Sequence, residues 1–182
     1  MAHLPPELSK LQATEIQDTS TSASWSLDLD IWQTDQVAQY MTAYASEPGQ
    51  PLLLEGDRGT FMGLILSGRV DIVKEDSSGA HKVIATLGPG KMIGEMGLID
   101  GGRRSASVIT REMTTFLVLT NDAFDRLSDE RPRLALQLMK SMAKIGSQRL
   151  RQTSGQLTDL LPDDRLTPVP VAARTHRRGY KS

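Results

Sequence analysis

The residues best able to do binding chemistry are gathered in Gly94–Val108, which reads GEMGLIDGGRRSASV. Glu95 opens a short turn. Arg103 and Arg104 follow, trailed by the small residues Ser105, Ala106 and Ser107. Between them Met96, Leu98 and Ile99 supply apolar surface for one turn of helix, and Gly101-Gly102 lets the backbone reverse. Such a segment can hold an anion from several directions. A helical turn points unpaired N–H groups out of its N-terminal end, and an arginine grips two phosphate oxygens through its planar fork. Small residues after the arginine let further backbone N–H groups approach the same phosphate. A carboxylate beside a phosphate is repelled, so Glu95 is assigned to a hydroxyl donor, for which a sugar hydroxyl is the natural choice. The bland alternative is a glycine-rich surface turn with a solvated Arg-Arg pair.

The elements that must position this segment follow from the patterns on either side. Ile31, Trp32, Val37, Tyr40 and Met41 recur near helical spacing, which predicts a short amphipathic helix before the first strand. Tyr44 leads into a turn at Glu47-Pro48-Gly49-Gln50. Short apolar runs follow at Pro51–Leu54, Phe61–Leu66, Val70–Lys74, Lys82–Leu87, Met92–Ile93, Ala106–Thr110 and Thr115–Leu119. Their lengths and the Gly- and Asp-rich breaks between them predict an all-β barrel or jelly roll with tight connections. Thr120 is the expected N-cap of a helix over Asp122–Ser128. Pro132 suits the first turn of a long helix that Pro162 ends. Along that helix Met139, Ala143, Gly146, Leu150, Thr153, Leu157 and Leu160 recur at alternating spacings of four and three, as in a coiled-coil seam. Leu138, Met142 and Ile145 form a second apolar face on its first half. One face is expected on the β-structure and the other on a partner helix, which predicts a homodimer through the C-terminal helix.

Gly94-Glu95-Met96-Gly97-Leu98-Ile99, followed by Arg104-Ser105-Ala106, resembles the phosphate-binding cassette of the cyclic nucleotide-binding domain family. That family includes the catabolite activator protein and the regulatory subunits of cyclic-AMP-dependent kinase. The turn glycines resemble the family in register from Gly49 through Leu161, and Arg103 stands where a proline is common. The resemblance implies a mainly β fold with flanking α-helices. It would be an antiparallel β-roll, a double-stranded jelly-roll-like barrel, with a short cassette helix and a long C-terminal helix. It also implies roles. Gly94 and Glu95 would take the ribose 2′-hydroxyl, and Arg104 with the backbone of Ser105 and Ala106 would hold the cyclic phosphate. The base would rest against Ile72, Val83, Ile84, Ala85, Leu87 and Met96, and Gln148, Arg149 and Leu150 would close over it as a lid. Cyclic AMP is favoured over cyclic GMP. Guanine-preferring members often carry threonine after the phosphate arginine, where this chain has Ser105.

Composition narrows the alternatives. A chain of 182 residues with 38% hydrophobic and 4% aromatic residues holds one domain of ordinary size plus extensions. The division expected is a flexible N-terminal extension over 1–29, the cyclic nucleotide-binding domain with its helix over 30–161, and a flexible basic tail over 162–182. A net charge of −1 gives no global pull toward nucleic acid or acidic membranes. The N-terminus has no secretory pattern and no run reaches a membrane span, so the cytoplasm is the expected compartment. There is no cysteine, and the three histidines, His3, His81 and His176, cannot assemble a metal site. No nucleophile elbow or phosphate-binding Walker loop occurs. No enzyme, cofactor or metal is therefore expected. The stretch after Pro162 is too short and too proline-rich for a helix-turn-helix domain, so the output is expected to be an unidentified effector protein. Two other readings remain: a docking module of the same fold that binds no cyclic nucleotide, and a nucleic-acid accessory acting through Arg174, Arg177, Arg178 and Lys181.

Overall fold

The strand Phe61–Ser67 is buried at every residue but its last, and the fold is built outward from both of its faces. Successive side chains of a strand point to opposite faces. Met62, Leu64 and Leu66 accordingly enter one core cluster, while Phe61 and Ile65 enter another. This computed structural model describes Ser9–Lys10, Leu29 and residues 31–160.

The elements, in chain order, are β1 (Ser9–Lys10), α1 (Ile31–Ala38), β2 (Thr42–Ser46), β3 (Pro51–Leu53), β4 (Phe61–Ser67), β5 (Val70–Glu75), β6 (His81–Leu87) and β7 (Met92–Ile93). Then come α2 (Glu95–Asp100), β8 (Ser107–Thr110), β9 (Thr114–Thr120), α3 (Asn121–Glu130) and α4 (Pro132–Leu160). One sheet has the order β1-β2-β9-β4-β7 and the other β3-β8-β5-β6, with every pairing antiparallel. The fold is therefore the antiparallel β-roll expected, but the two sheets stay open and do not close into a barrel.

Phe116, Val118, Leu52, Ile93 and Val108 fill the cluster that the two sheets share with Phe61 and Ile65. The opposite face of the first sheet is covered by helices. Val37 of α1, Leu127 of α3 and Leu134, Leu138 and Met142 of α4 join Leu64, Leu117 and Leu119 there. Leu138 and Met142 thus seat the first half of α4 on the β-structure, as their spacing requires. Thr120 caps α3 by accepting the Ala123 N–H at 3.2 Å, with Asp122 in the first turn favouring the helix dipole.

Two strands differ from the sequence reading. The sequence reads Tyr44 only as leading into the turn at Glu47-Pro48-Gly49-Gln50, whereas Thr42–Ser46 is a strand. It is a strand because residues far along the chain supply its partner, Tyr44 lying opposite Phe116 on β9. Ser9–Lys10, inside the extension expected to be flexible, pairs with Tyr44 and Ala45. Apart from Leu29, the rest of that extension lies outside the described residues, as does the basic tail.

Two compact units divide the chain, Met1–Gly146 and Ser147–Ser182. The sheets, the helices α1 to α3 and the first part of α4 belong to the first. In the second, α4 continues to Leu160, with Leu150 and Leu157 exposed. No helix among the described residues is long and apolar enough to cross a membrane.

Candidate functional site

The cassette is held in place by the loop that follows β3. Gly56 N–H donates to the Arg104 carbonyl at 2.9 Å, Arg104 N–H to the Asp57 carbonyl at 2.7 Å, and Gly59 N–H to the Gly102 carbonyl at 3.1 Å. Glu55 N–H donates to Ser107 Oγ at 2.9 Å. These bonds zip residues 55–59 onto residues 102–107, so the arginines are presented from a doubly supported backbone. Arg103 and Arg104 then take opposite courses. Arg103 stays exposed, its Nη1 donating to the Gly56 carbonyl at 2.7 Å. Arg104 turns inward and is only 6% exposed.

The buried guanidinium is closely attended. Nη1 donates to the Gly94 carbonyl at 2.8 Å and Nη2 to the Phe61 carbonyl at 2.7 Å. The charge also sits over the Phe61 ring, 5.0 Å from its centroid. Burial lowers the Arg104 pKa from its ordinary value, while the Glu95 and Asp57 carboxylates oppose that shift. Arginine's ordinary value is so high that the side chain stays charged at neutral pH.

Three glycines make room for it. Gly94, at the N-cap of α2, has φ of 70°, and a Cβ there would fall on Arg104 Nη1. Gly59 and Gly97 approach each other so closely that a Cβ on Gly97 would lie 2.9 Å from Gly59 Cα and 3.1 Å from Arg104 Nη1. Gly59 was not singled out in the sequence. In the sequence it is a glycine five residues after the apolar run Pro51–Leu54, which reads equally well as a plain turn.

Glu95, the first residue of α2, is 3% exposed. The structure therefore brings together Gly94, Glu95 and Arg104, the residues expected at ribose and phosphate. Ser105 and Ala106 continue directly from Arg104 at the surface, and Ser105 Oγ lies 3.9 Å from Met96 Sδ. Of the residues expected at the base, Ile72 on β5 pairs with Ala85 on β6, and Val73 pairs with Val83. Ile84 is left over as a bulge. Val83 and Ile84 are 58% and 60% exposed, and Met96 is 53% exposed, while Leu87 is half-buried. β6 is a sheet edge, where exposed apolar residues are ordinarily replaced by charges. Gln148, Arg149 and Leu150, expected as a lid, belong to the second unit.

Elsewhere, a groove of about 360 Å³ between α1 and the start of α4 has Trp32, Gln36, Arg131 and Gln137 among its walls and shares no residue with the cassette. Its polar groups satisfy one another, Arg131 donating to Gln36 at 2.9 Å and Gln33 to Gln137 at 2.9 Å. Among the described residues no group of three histidine or acidic side chains could hold a metal ion.

The chain is similar to several known proteins. Residues 45–131 match the model of the cyclic nucleotide-binding domain. The cyclic AMP receptor protein of Thermus thermophilus is 33% identical over 129 residues, 71% of this chain and 57% of that protein. The cAMP-dependent protein kinase regulatory subunit of Yarrowia lipolytica is 32% identical over 100 residues, 55% of this chain and 26% of that protein. The match thus spans little more than half of one curated relative and about a quarter of the other. A solved cyclic nucleotide-binding domain from Methylobacillus flagellatus is 31% identical, with a TM-score of 0.73 over 86% of this chain and 92% of that one.

The glycine cradle gives a direct test. Gly94→Ala must place a side chain in the left-handed region and on top of Nη1, so it should destabilise the unliganded protein by about 1–3 kcal/mol or more. Urea unfolding measures this. A midpoint equal to that of the wild type would mean that the guanidinium is not seated there.

Proposed function

We propose the function from an established premise: the chain belongs to the cyclic nucleotide-binding domain family. On this reading it binds one cyclic mononucleotide per chain, cyclic AMP in preference to cyclic GMP, and passes the occupied state to a protein partner. No catalytic step is involved. The observation that carries the reading is a charged guanidinium kept in a nearly dry site beside an equally buried carboxylate. A fold with no anion to bind gains little from either.

The chemistry supports distinct tasks for the two groups. A guanidinium has five N–H donors. Two reach the Gly94 and Phe61 carbonyls, which fix the plane of the fork, and the others are the donors a cyclic phosphate would take. Glu95 accepts from a hydroxyl, which suits the ribose 2′-OH. The exposed apolar edge at Val83 and Ile84, with Met96, offers a surface on which a planar base can be desolvated. The reading extends to a homodimer through α4, because Leu150 and Leu157 are 68% and 57% exposed at seam spacing.

Three sets of variants test these statements. Arg104→Ala should weaken cyclic AMP and cyclic GMP alike by about 30-fold or more, the scale of ~2–5 kcal/mol for stranding one member of a buried charge pair. Arg104→Lys should restore only part of this, since one ammonium cannot serve a carbonyl pair and a phosphate as a planar fork does. Glu95→Gln should cost about 1.5–3 kcal/mol with cyclic AMP and nothing with its 2′-deoxy analogue, which has no hydroxyl to donate. Equal losses with both ligands would remove Glu95 from the ribose. For the dimer, Leu150→Lys combined with Leu157→Lys should convert the protein to monomers in light scattering, and a monomeric wild type contradicts the seam.

A further inference from the structure

A second cation is built into the cassette turn from outside it. Lys74, near the end of β5, donates from Nζ to the Ser105 carbonyl at 2.7 Å and pairs with Glu55 Oε1 at 2.5 Å. Glu55 is itself fixed. Its other carboxylate oxygen accepts the Glu75 N–H at 3.2 Å, and its own N–H donates to Ser107 Oγ. The Lys74 hydrogen bond and then the Glu75 N–H hold the Glu55 carboxyl below its ordinary range. An exposed lysine usually gains little from a single surface partner. Here the ammonium joins β5, the loop after β3 and the cassette turn at one point.

The carbonyl that Lys74 takes belongs to the peptide whose nitrogen is that of Ala106. Peptide bonds here are trans, and the C=O and N–H of a trans peptide point in opposite directions. A cation on the carbonyl side therefore fixes which way the Ala106 N–H faces on the other side. It also makes that N–H a better donor, because hydrogen bonds in a chain polarise one another. Among the described residues, neither the Ser105 nor the Ala106 N–H has a backbone acceptor in the loops and turns.

We propose that Lys74, steadied by Glu55, is a positioning residue of the phosphate subsite. It orients and polarises the Ser105–Ala106 peptide so that the Ala106 N–H meets a ligand phosphate oxygen on the face opposite the ammonium. Lys74 does not touch the ligand. This rests on the cyclic nucleotide reading above.

The test is the amide spectrum of the full-length, nitrogen-15-labelled protein, recorded with and without saturating cyclic AMP. In the wild type the Ala106 amide proton should move well downfield on binding. Lys74→Met should lose most of that movement and bind cyclic AMP about tenfold more weakly, the scale of one hydrogen bond to a charged group. Lys74→Arg, which keeps a cation, should recover both, and Glu55→Gln should fall between. The remaining amides report in the same spectra that each variant is folded. If the wild type shows no response to cyclic AMP, the cyclic nucleotide reading fails and this proposal with it. If the wild type responds and Lys74→Met gives the same Ala106 shift at saturation, this proposal alone is overturned. Weaker binding with an unchanged shift would also overturn it, since Lys74 would then be acting directly on the phosphate.

Discussion

An arginine buried beneath the surface of a small β-roll is the constraint on which the rest of the site depends. Removing a guanidinium from water costs several kcal/mol unless its charge and its donors are met. Around Arg104 two donors reach backbone carbonyls, and the charge is offset by the face of Phe61 and the carboxylates of Glu95 and Asp57. Carbonyls accept without neutralising, so the side chain keeps its full charge and lends it to whatever anion approaches.

That requirement explains local features that otherwise look unrelated. Gly94, Gly59 and Gly97 lack side chains where a Cβ would strike the guanidinium or the facing backbone. The loop after β3 is zipped to the cassette, because a fork must be aimed by a backbone that does not move. β4 supplies the Phe61 carbonyl and ring from its buried end, so the same strand that carries both halves of the core also fixes the charge. Rigidity at the site and packing of the roll are thus one arrangement.

Much of this was legible in the sequence. The glycine turns and apolar runs marked most of the strands along the chain, and the Glu95-to-Arg104 cassette marked the short helix at Glu95. Thr120 and Pro132 marked the two helix starts correctly, because capping is a local matter of one side chain and the next few N–H groups. The strand at Thr42–Ser46 was not legible, since its small and polar residues become a strand only through β9, some seventy positions later. The acceptors of Arg104 were hidden for the same reason: backbone carbonyls carry no sequence signature, and Phe61 is brought to Arg104 only by the fold. In the sequence Lys74 is only the last residue of the run Val70–Lys74, and its contact with the Ser105 carbonyl exists only in the fold. The expected barrel became an open roll because β6 and β7 end as edges rather than pairing with each other.

On the function proposed, the cassette is the site for a cyclic phosphate with an adjacent hydroxyl, and the apolar edge of β6 is the place for the base. Both features belong to the first unit, so ligand capture is referred to the roll and its cassette. The most direct measurement is a calorimetric titration of the full chain with cyclic AMP, set beside the same titration with 5′-AMP. The account predicts saturable binding of cyclic AMP at one site per chain, with 5′-AMP much weaker because its open phosphate carries more charge and a different shape. No heat of binding from cyclic AMP or cyclic GMP at millimolar concentration would contradict it.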